Sequence, residues 1–435
     1  MNNVSHNLCP SLSLTMSLKA DRLPIPPTHE QQNRLLIYTK SLFTLADLEE
    51  AMRWLRNIRK DYSSNSDIWD LRRQWNTIKH DLLKQLNNAS YQFGFIERLE
   101  FSDATISLWS SKDMIALKLV SQALGERMVN HIPKSCYHVK SHGGLKKAVA
   151  DTQEALQNYR HVLRSDVKGY YESINFNSLF SIIESYINHP ILLTLIRNAC
   201  HRTETRGGIF YEYHEKGIPM GSPLSPLLGA IALIPLDQAI GKINDVFYAR
   251  FMDDWVVLTK SKTALRKVIK LTHQIIQSLK LELHPMKTFI GKIDRGFNFL
   301  AYYFDYQKIL PSKETIRRFH ERATLLYECP QTTKIVSRRY KKTIHERDIS
   351  LYQVDEEAPC DEDFKNLVLS LLSRSNLQPD LLKRLRRYID QWACWLKLGL
   401  STIKEFETCV QAFLPSLFSC WSMGAQTISS SGVSR

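Results

Sequence analysis

Two adjacent carboxylates interrupt an otherwise apolar run, Tyr248-Ala-Arg-Phe-Met-Asp253-Asp254-Trp-Val-Val-Leu258. The flanks read as two strands, so the acids fall at the tip of a hairpin. Neighbouring carboxylates repel each other, which disfavours their charged forms. A hard divalent cation relieves that repulsion, and Mg²⁺ prefers carboxylate oxygen. Taken alone, the dipeptide also reads as an ordinary Asp-Asp turn.

The chain has 435 residues, which predicts roughly two to three domains. Hydrophobic residues make up 43%, enough for a sizeable core. The formal net charge of +14 suits a polyanionic partner, nucleic acid first. A protein that simply happens to be basic fits the charge equally well. No apolar run reaches the length of about 18 residues that a membrane-spanning helix needs. No secretory leader is read at the N-terminus, so a cytoplasmic protein that meets no membrane is expected. The eight cysteines contain no CxxC pair, which argues against a zinc ribbon and for reduced thiols.

Residues 1 to about 28 look irregular, because Pro24, Pro26 and Pro27 oppose a helix. Helical patterning runs from Thr28 to Asp61. Ser66–Asp67 can cap a second helix with apolar positions at Ile68, Leu71, Trp75, Ile78 and Leu82. A short strand is expected over Ile106–Trp109 and helices over Lys112–Val129 and Leu145–Val162. From Arg164 the texture is α/β. A strand ends at Asp166, a helix follows at Asn177–Ile187, and a Gly/Pro loop opens one helix running to Ile240. Thr263–Leu279 reads as helix and Gly296–Phe304 as an aromatic strand. Beyond Pro311 the pattern is helical again.

Three further segments accompany the paired acids. Asp166 closes a strand in Leu163-Arg-Ser-Asp166-Val-Lys-Gly-Tyr-Tyr171. Gly217-Ile-Pro-Met-Gly-Ser-Pro-Leu-Ser-Pro226 is a stiff loop whose backbone can approach a flat ligand. His284-Pro-Met-Lys287-Thr288 is a turn that carries a lysine. Each alone is unremarkable; their order in one chain is not.

That order resembles the palm of reverse transcriptases, most closely the free-standing bacterial, group II intron-like branch. Asp166–Tyr171 is similar to that family's DIKGFF block, Gly217–Pro226 to GxPQGSPLSP, and Phe251–Asp254 to YxDD. His284–Thr288 is similar to HPxKT, and Phe299-Leu-Ala-Tyr302 to FLGY. Ser111-Lys-Asp113 and Cys136-Tyr-His-Val-Lys140 resemble degraded fingers blocks. Retron and diversity-generating signatures are missing. With 125 residues after Leu310, a thumb and little else is expected.

The resemblance implies an α+β right-hand polymerase with fingers, a ferredoxin-like palm, a helical thumb and a helical N-terminal extension. The expected limits are 1–94 for tail and extension, 95–165 for fingers and 166–310 for palm. The basic helical thumb takes 311–420 and a loose tail 421–435. The implied activity is RNA-directed DNA polymerisation with two Mg²⁺ ions, Mn²⁺ being a substitute. Asp166, Val167, Asp253 and Asp254 form the implied metal set. Tyr171 falls at the position that excludes a ribose 2′ hydroxyl. Met220, Gly221, Lys287 and Lys112 are implied nucleotide contacts, with Lys134 a weaker one. Arg338, Arg339, Lys341, Lys342, Arg386 and Arg387 form basic clusters suited to a primer–template duplex, although each cluster also reads as a solvated helix face.

Partners implied are an RNA template, a DNA or RNA primer, dNTPs and a cognate non-coding RNA. Phage defence, DNA repair and mobile elements are the roles such enzymes resemble. Two departures stand out. Phe251 replaces the family's tyrosine, and Met220 replaces a glutamine that could hydrogen-bond the nucleotide. Two other readings stay open: a maturase-like RNA-binding scaffold, and a template-independent nucleotidyltransferase.

Overall fold

The computed structural model describes residues 41–100, 105–213, 215–307 and 309–318. The chain divides into two units, Met1–Leu42 and Phe43–Arg435, and every helix and strand among the described residues belongs to the second. The expected N-terminal tail, the C-terminal tail and the thumb beyond residue 318 lie outside the described residues. So do Arg338, Arg339, Lys341, Lys342, Arg386 and Arg387.

Helix α1 (Leu45–Ile58) starts in a capping box, where Thr44 and Asp47 satisfy each other's backbone N–H groups. Helix α2 (Asp67–Asn87) buries Ile68, Leu71, Trp75 and Leu82 as their spacing predicts, while Ile78 is only half-buried. Ser66 occupies the N-cap, but its hydroxyl makes no capping bond. Asp67 instead turns outward, accepting from Ser111 Oγ at 2.8 Å and from Arg59 Nη1 at 3.1 Å. This ties α2 to the start of a later helix.

Strands β1 (Ile96–Glu100) and β2 (Thr105–Leu108) are antiparallel. Helix α3 (Ser111–Met128) follows, apolar around most of its circumference and accordingly buried. Helix α4 (Gly144–Leu156) stops six residues before Val162, where the sequence places its end. Val162 belongs instead to β3 (His161–Asp166), opposite Leu258. The junction Gln157-Asn158-Tyr159-Arg160 holds neither Gly nor Pro to mark the end of the helix.

After β3 come the short helix α5 (Tyr170–Ser173), α6 (Phe176–Tyr186) and α7 (Pro190–Cys200). The hairpin of β4 (Thr203–Arg206) and β5 (Ile209–Glu212) follows. Strands β1, β2, β4 and β5 form one sheet in the order β2-β1-β4-β5. The helix expected to reach Ile240 is two helices, α8 (Ser225–Ala232) and α9 (Ile234–Gly241). Pro235 lacks the N–H that a continuous helix needs, so the chain breaks at Leu233.

Strands β6 (Val246–Phe251) and β7 (Asp254–Thr259) form the predicted hairpin. Helix α10 (Lys262–Ser278) follows, and β8 (Phe289–Lys292) joins β6, β7 and β3 in a second sheet, ordered β6-β7-β3-β8 and antiparallel throughout. Gly296–Phe304, read as one strand, is two: β9 (Phe297–Phe299) and β10 (Tyr302–Phe304). Leu300 and Ala301 turn between them at φ 49° and 73°. Two successive left-handed residues give the tight turn that matches strand twist. Strand β11 (Ile309–Pro311) completes this third sheet.

Val162, Ala249, Val256 and Leu258 share a core with Val149 of α4 and with Phe297, Phe299 and Phe304. The fold is α+β, as the sequence predicts. Among the described residues no helix is long and apolar enough to cross a membrane. Cys136 and Cys200 are buried free thiols.

Gly296 tests this packing. Its φ is 72°, and a Cβ there would collide with the Tyr303 ring. Gly296→Ala should cost about 1–3 kcal/mol, from overpacking and a strained backbone. A lowered urea midpoint with an unchanged slope is the expected reading.

Candidate active site

Strands β6 and β7 pair Phe251 with Asp254, so Met252 and Asp253 make a two-residue turn. Met252 lies in the left-handed region at φ 58°, which a side chain adopts only when its surroundings hold it there. Three contacts do so. Arg250 Nη1 donates to Met252 O at 2.8 Å, the Met252 N–H donates to His138 Nδ1 at 2.9 Å, and Tyr171 Oη lies 3.5 Å from Met252 Sδ.

Arg250 sits in an apolar run yet is fully buried. Its guanidinium grips Asp237 through two bonds of 2.6 and 2.5 Å, and it also donates to Ala230 O at 3.1 Å. Tyr248 donates to the same carboxylate at 2.7 Å. One cation therefore joins α8, α9 and the tip of the hairpin.

Register places Asp254 directly opposite Asp166 at the end of β3. Each already faces a cation. Lys287 Nζ is 3.3 Å from Asp166 Oδ2, and Arg164 Nε is 3.2 Å from Asp254 Oδ1. Burial pushes the Asp166 carboxyl up to about 8, helped by the charges of Asp253 and Asp254 and opposed by Lys287 and Arg164. Burial also raises Asp253, to about 6, with Asp254 adding to the shift. Three acids crowd a site that holds two cations.

This crowding is the observation that suits a divalent ion. The donors are hard carboxylate oxygens, which Mg²⁺ and Mn²⁺ favour. Among the described residues, no three His, Cys, Asp or Glu side chains converge as a ready-made cage. A bound ion would therefore compete with Lys287 and Arg164 for the same oxygens. Val167, also named in the metal set, is buried and bridges to Leu283.

The Gly/Pro loop is anchored at several points. Trp109 Nε1 donates to Met220 O at 3.1 Å, and Ser121 Oγ donates to Pro223 O at 2.9 Å. Gly221 has φ 73°, and a Cβ there would lie 3.2 Å from Ser107 O. The Ile218 N–H donates to Tyr171 O at 2.8 Å. Tyr171 is half-buried between Met252 and Gly229, where a Cβ would come within 3.2 Å of its ring. Tyr170, not Tyr171, is the core aromatic of the pair.

Asp166, Asp254, Lys287 and Arg164 thus meet, with Asp253 on the adjoining turn and Tyr171 beside Met252. Lys112 instead lies over the Tyr91 ring at 5.4 Å, and Lys134 is exposed to solvent. Asp113, in the same block, accepts from Tyr91 Oη at 2.7 Å and from Ser110 Oγ at 2.7 Å, a structural role. Sequence reasoning misses Arg164, Arg250, Asp237 and His138. Arg164 carries a usable signal, since two residues before Asp166 on one strand means the same face.

Removing Asp237 would strand the Arg250 charge without solvent. Asp237→Ala should cost about 3–5 kcal/mol, and Asp237→Leu combined with Arg250→Met should recover much of it. Urea unfolding of the parent and the two variants measures both quantities.

Comparison with known proteins finds partial matches. Residues 105–304 match the family described as Reverse transcriptase (RNA-dependent DNA polymerase). Protein YkfC of Escherichia coli is 25% identical over 177 residues, covering 33% of this chain and 46% of its own length. An uncharacterized 91 kDa protein in a cob intron of Schizosaccharomyces pombe is 34% identical over 88 residues, covering 20% of this chain and 10% of that protein. The chain spans less than half the length of these curated relatives.

Among solved structures, apo telomerase from Candida tropicalis truncated from its C-terminal domain aligns with a TM-score of 0.42 at 15% identity. It covers 51% of this chain and 55% of that one. Telomerase from Candida albicans in complex with a TWJ fragment of telomeric RNA aligns with a TM-score of 0.45 at 11% identity, covering 82% and 69%. The stretch from 105 to 304, which contains the acids, both cations and the anchored loop, is the part of the chain that matches this family.

Proposed function

We propose that this protein is an RNA-directed DNA polymerase that extends a primer with dNTPs. One observation carries the reading: Asp166 and Asp254 face each other across two strands, with Asp253 on the adjoining turn, inside a segment of the matching family. Asp166, Asp253 and Asp254, with the backbone of Val167, would hold two Mg²⁺ or Mn²⁺ ions. Such ions, when bound, activate the primer hydroxyl and neutralise charge on the leaving pyrophosphate.

The chain's own groups divide the remaining work. Lys287, released from Asp166, presents an ammonium to the triphosphate and can donate a proton to pyrophosphate. The Tyr171 ring, backed by Gly229, occupies the space a ribose 2′ hydroxyl would need. The stiff backbone at Met220 and Gly221 gives the nucleotide a flat wall. In this reading 95–165 acts as fingers, 166–310 as palm and 311–420 as a thumb on the template duplex.

The match to a protein in a cob intron supports the intron-like branch. A cognate RNA and a role in phage defence or a mobile element are parts of the same proposal. A second reading, an RNA-binding scaffold that does not polymerise, draws on one observation: Lys287 and Arg164 already occupy Asp166 and Asp254.

Primer extension on poly(rA)/oligo(dT) and on a mixed RNA template separates the readings. Template-dependent dNTP incorporation is expected with Mg²⁺ or Mn²⁺. Chelation should abolish it, as should Asp253→Ala with Asp254→Ala, while RNA binding persists. Tight RNA binding without extension in either protein would favour the scaffold, and extension without template the untemplated enzyme. Tyr171→Ala should narrow the preference for dNTP over NTP by about tenfold or more, the scale of one steric contact in a pocket.

A further inference from the structure

His138 makes contacts that the polymerase reading does not use. Residues 135–137 run beside β6: the Tyr137 N–H donates to Arg250 O at 2.8 Å, and the Arg250 N–H donates to Ser135 O at 2.8 Å. This short parallel bridge, Cys136 to Arg250, covers the outer edge of the sheet. It delivers His138 to the hairpin turn. There Nδ1 accepts the Met252 N–H at 2.9 Å, with Cys136 Sγ 3.5 Å away, and Nε2 faces Pro226 O at 3.3 Å. The ring meets Phe251 edge-on at 5.7 Å.

These partners determine the tautomer. A nitrogen that accepts an N–H carries no proton, so Nδ1 is bare and Nε2 holds the hydrogen that Pro226 receives. A doubly protonated ring would set a donor against the Met252 N–H. Burial, with Arg250 nearby, pushes His138 down to about 3 and keeps it neutral. One imidazole thus bonds directly to two parts of the site: the turn that bears Asp253, and the junction of the Gly/Pro loop with α8.

We infer that His138 is a positioning residue, a brace that accepts the Met252 N–H, holds the Met252–Asp253 turn and so aims Asp253. The inference rests on the polymerase reading for its kinetic consequence and on geometry alone for the brace itself. Met252 needs such support, because its left-handed backbone has no glycine to ease it.

Three variants of the full chain test it. His138→Asn places an amide oxygen where Nδ1 stood and can still accept the Met252 N–H. His138→Gln reaches toward Pro226 only. His138→Phe keeps the ring against Phe251 and accepts nothing. Amide hydrogen exchange is read at Met252, with the β7 amides as the control for folding.

The Phe and Gln variants should exchange Met252 on the order of tenfold faster, the scale of one hydrogen bond, while β7 stays protected and Asn behaves as the parent. In primer extension the Phe and Gln variants should lose about 10²-fold in kcat through misplacement of the acid. The KM for dNTP should stay within about threefold, and Asn should restore most of the rate. Unchanged protection of Met252 in the Phe variant overturns the brace. Loosening without a loss of kcat, an Asn variant no better than Phe, or loss of β7 protection in all three also overturns it. A parent protein that extends no primer refutes the polymerase reading instead, and exchange at Met252 then decides the brace by itself.

Discussion

The ion pair of Arg250 with Asp237 is the contact on which the site's geometry depends. Both side chains are shut off from solvent, and removing two charges from water costs several kcal/mol per ion. The pair offsets that cost through density of bonding. Asp237 accepts from Arg250 and Tyr248, and Arg250 also reaches Ala230 O and Met252 O. What such a network contributes is one permitted seat for the hairpin against α8 and α9. A wholly apolar contact there would tolerate sliding, and a slip of one residue would turn Asp254 away from Asp166.

A second constraint arises from the first. Once the hairpin is seated, Asp253 and Asp254 are carried into a buried region beside Asp166. The loss of water and, after it, their mutual repulsion raise Asp166 to about 8 and Asp253 to about 6. Lys287 and Arg164 compensate in part, each from its own element. Lys287 arrives on the 3₁₀ turn Pro285–Lys287, docked where the His284 N–H donates to Asp166 O at 2.8 Å. Arg164 lies on β3 itself. The site is stabilised only partly by its own cations.

Elements with a strong local cause are legible in the sequence. The hairpin around Asp253 and Asp254, the strand ending at Asp166 and the Gly/Pro loop all stand where the sequence predicts them. Each is dictated by residues within a few positions of itself. The differences have equally local causes. Pro235 stands in an otherwise continuous helical pattern, which hides the break at Leu233. Leu300 and Ala301 are poor turn residues by composition, yet both adopt positive φ, so two strands read as one. Val162 reads as helix because an apolar residue fits either pattern. The hairpin β4–β5 does carry a signal, Gly207-Gly208 at φ 55° and 86° between its strands, and α7 opens with Pro190 at its first position, although neither is among the elements read from the sequence.

The sequence by itself determined which groups are candidates for chemistry and roughly where each sits in its own element: the three acids, Lys287, Tyr171 and the stiff loop. That information is carried by residue type and short spacing, which the backbone converts directly into turns and strand ends. Tertiary structure alone decided what each group faces. That Arg164 pairs with Asp254, Lys287 with Asp166, Arg250 with Asp237 and His138 with the Met252 N–H follows from strand register and helix docking across 90, 121, 13 and 114 residues. Contacts at such separations come from the packing of whole elements, and no local pattern encodes them.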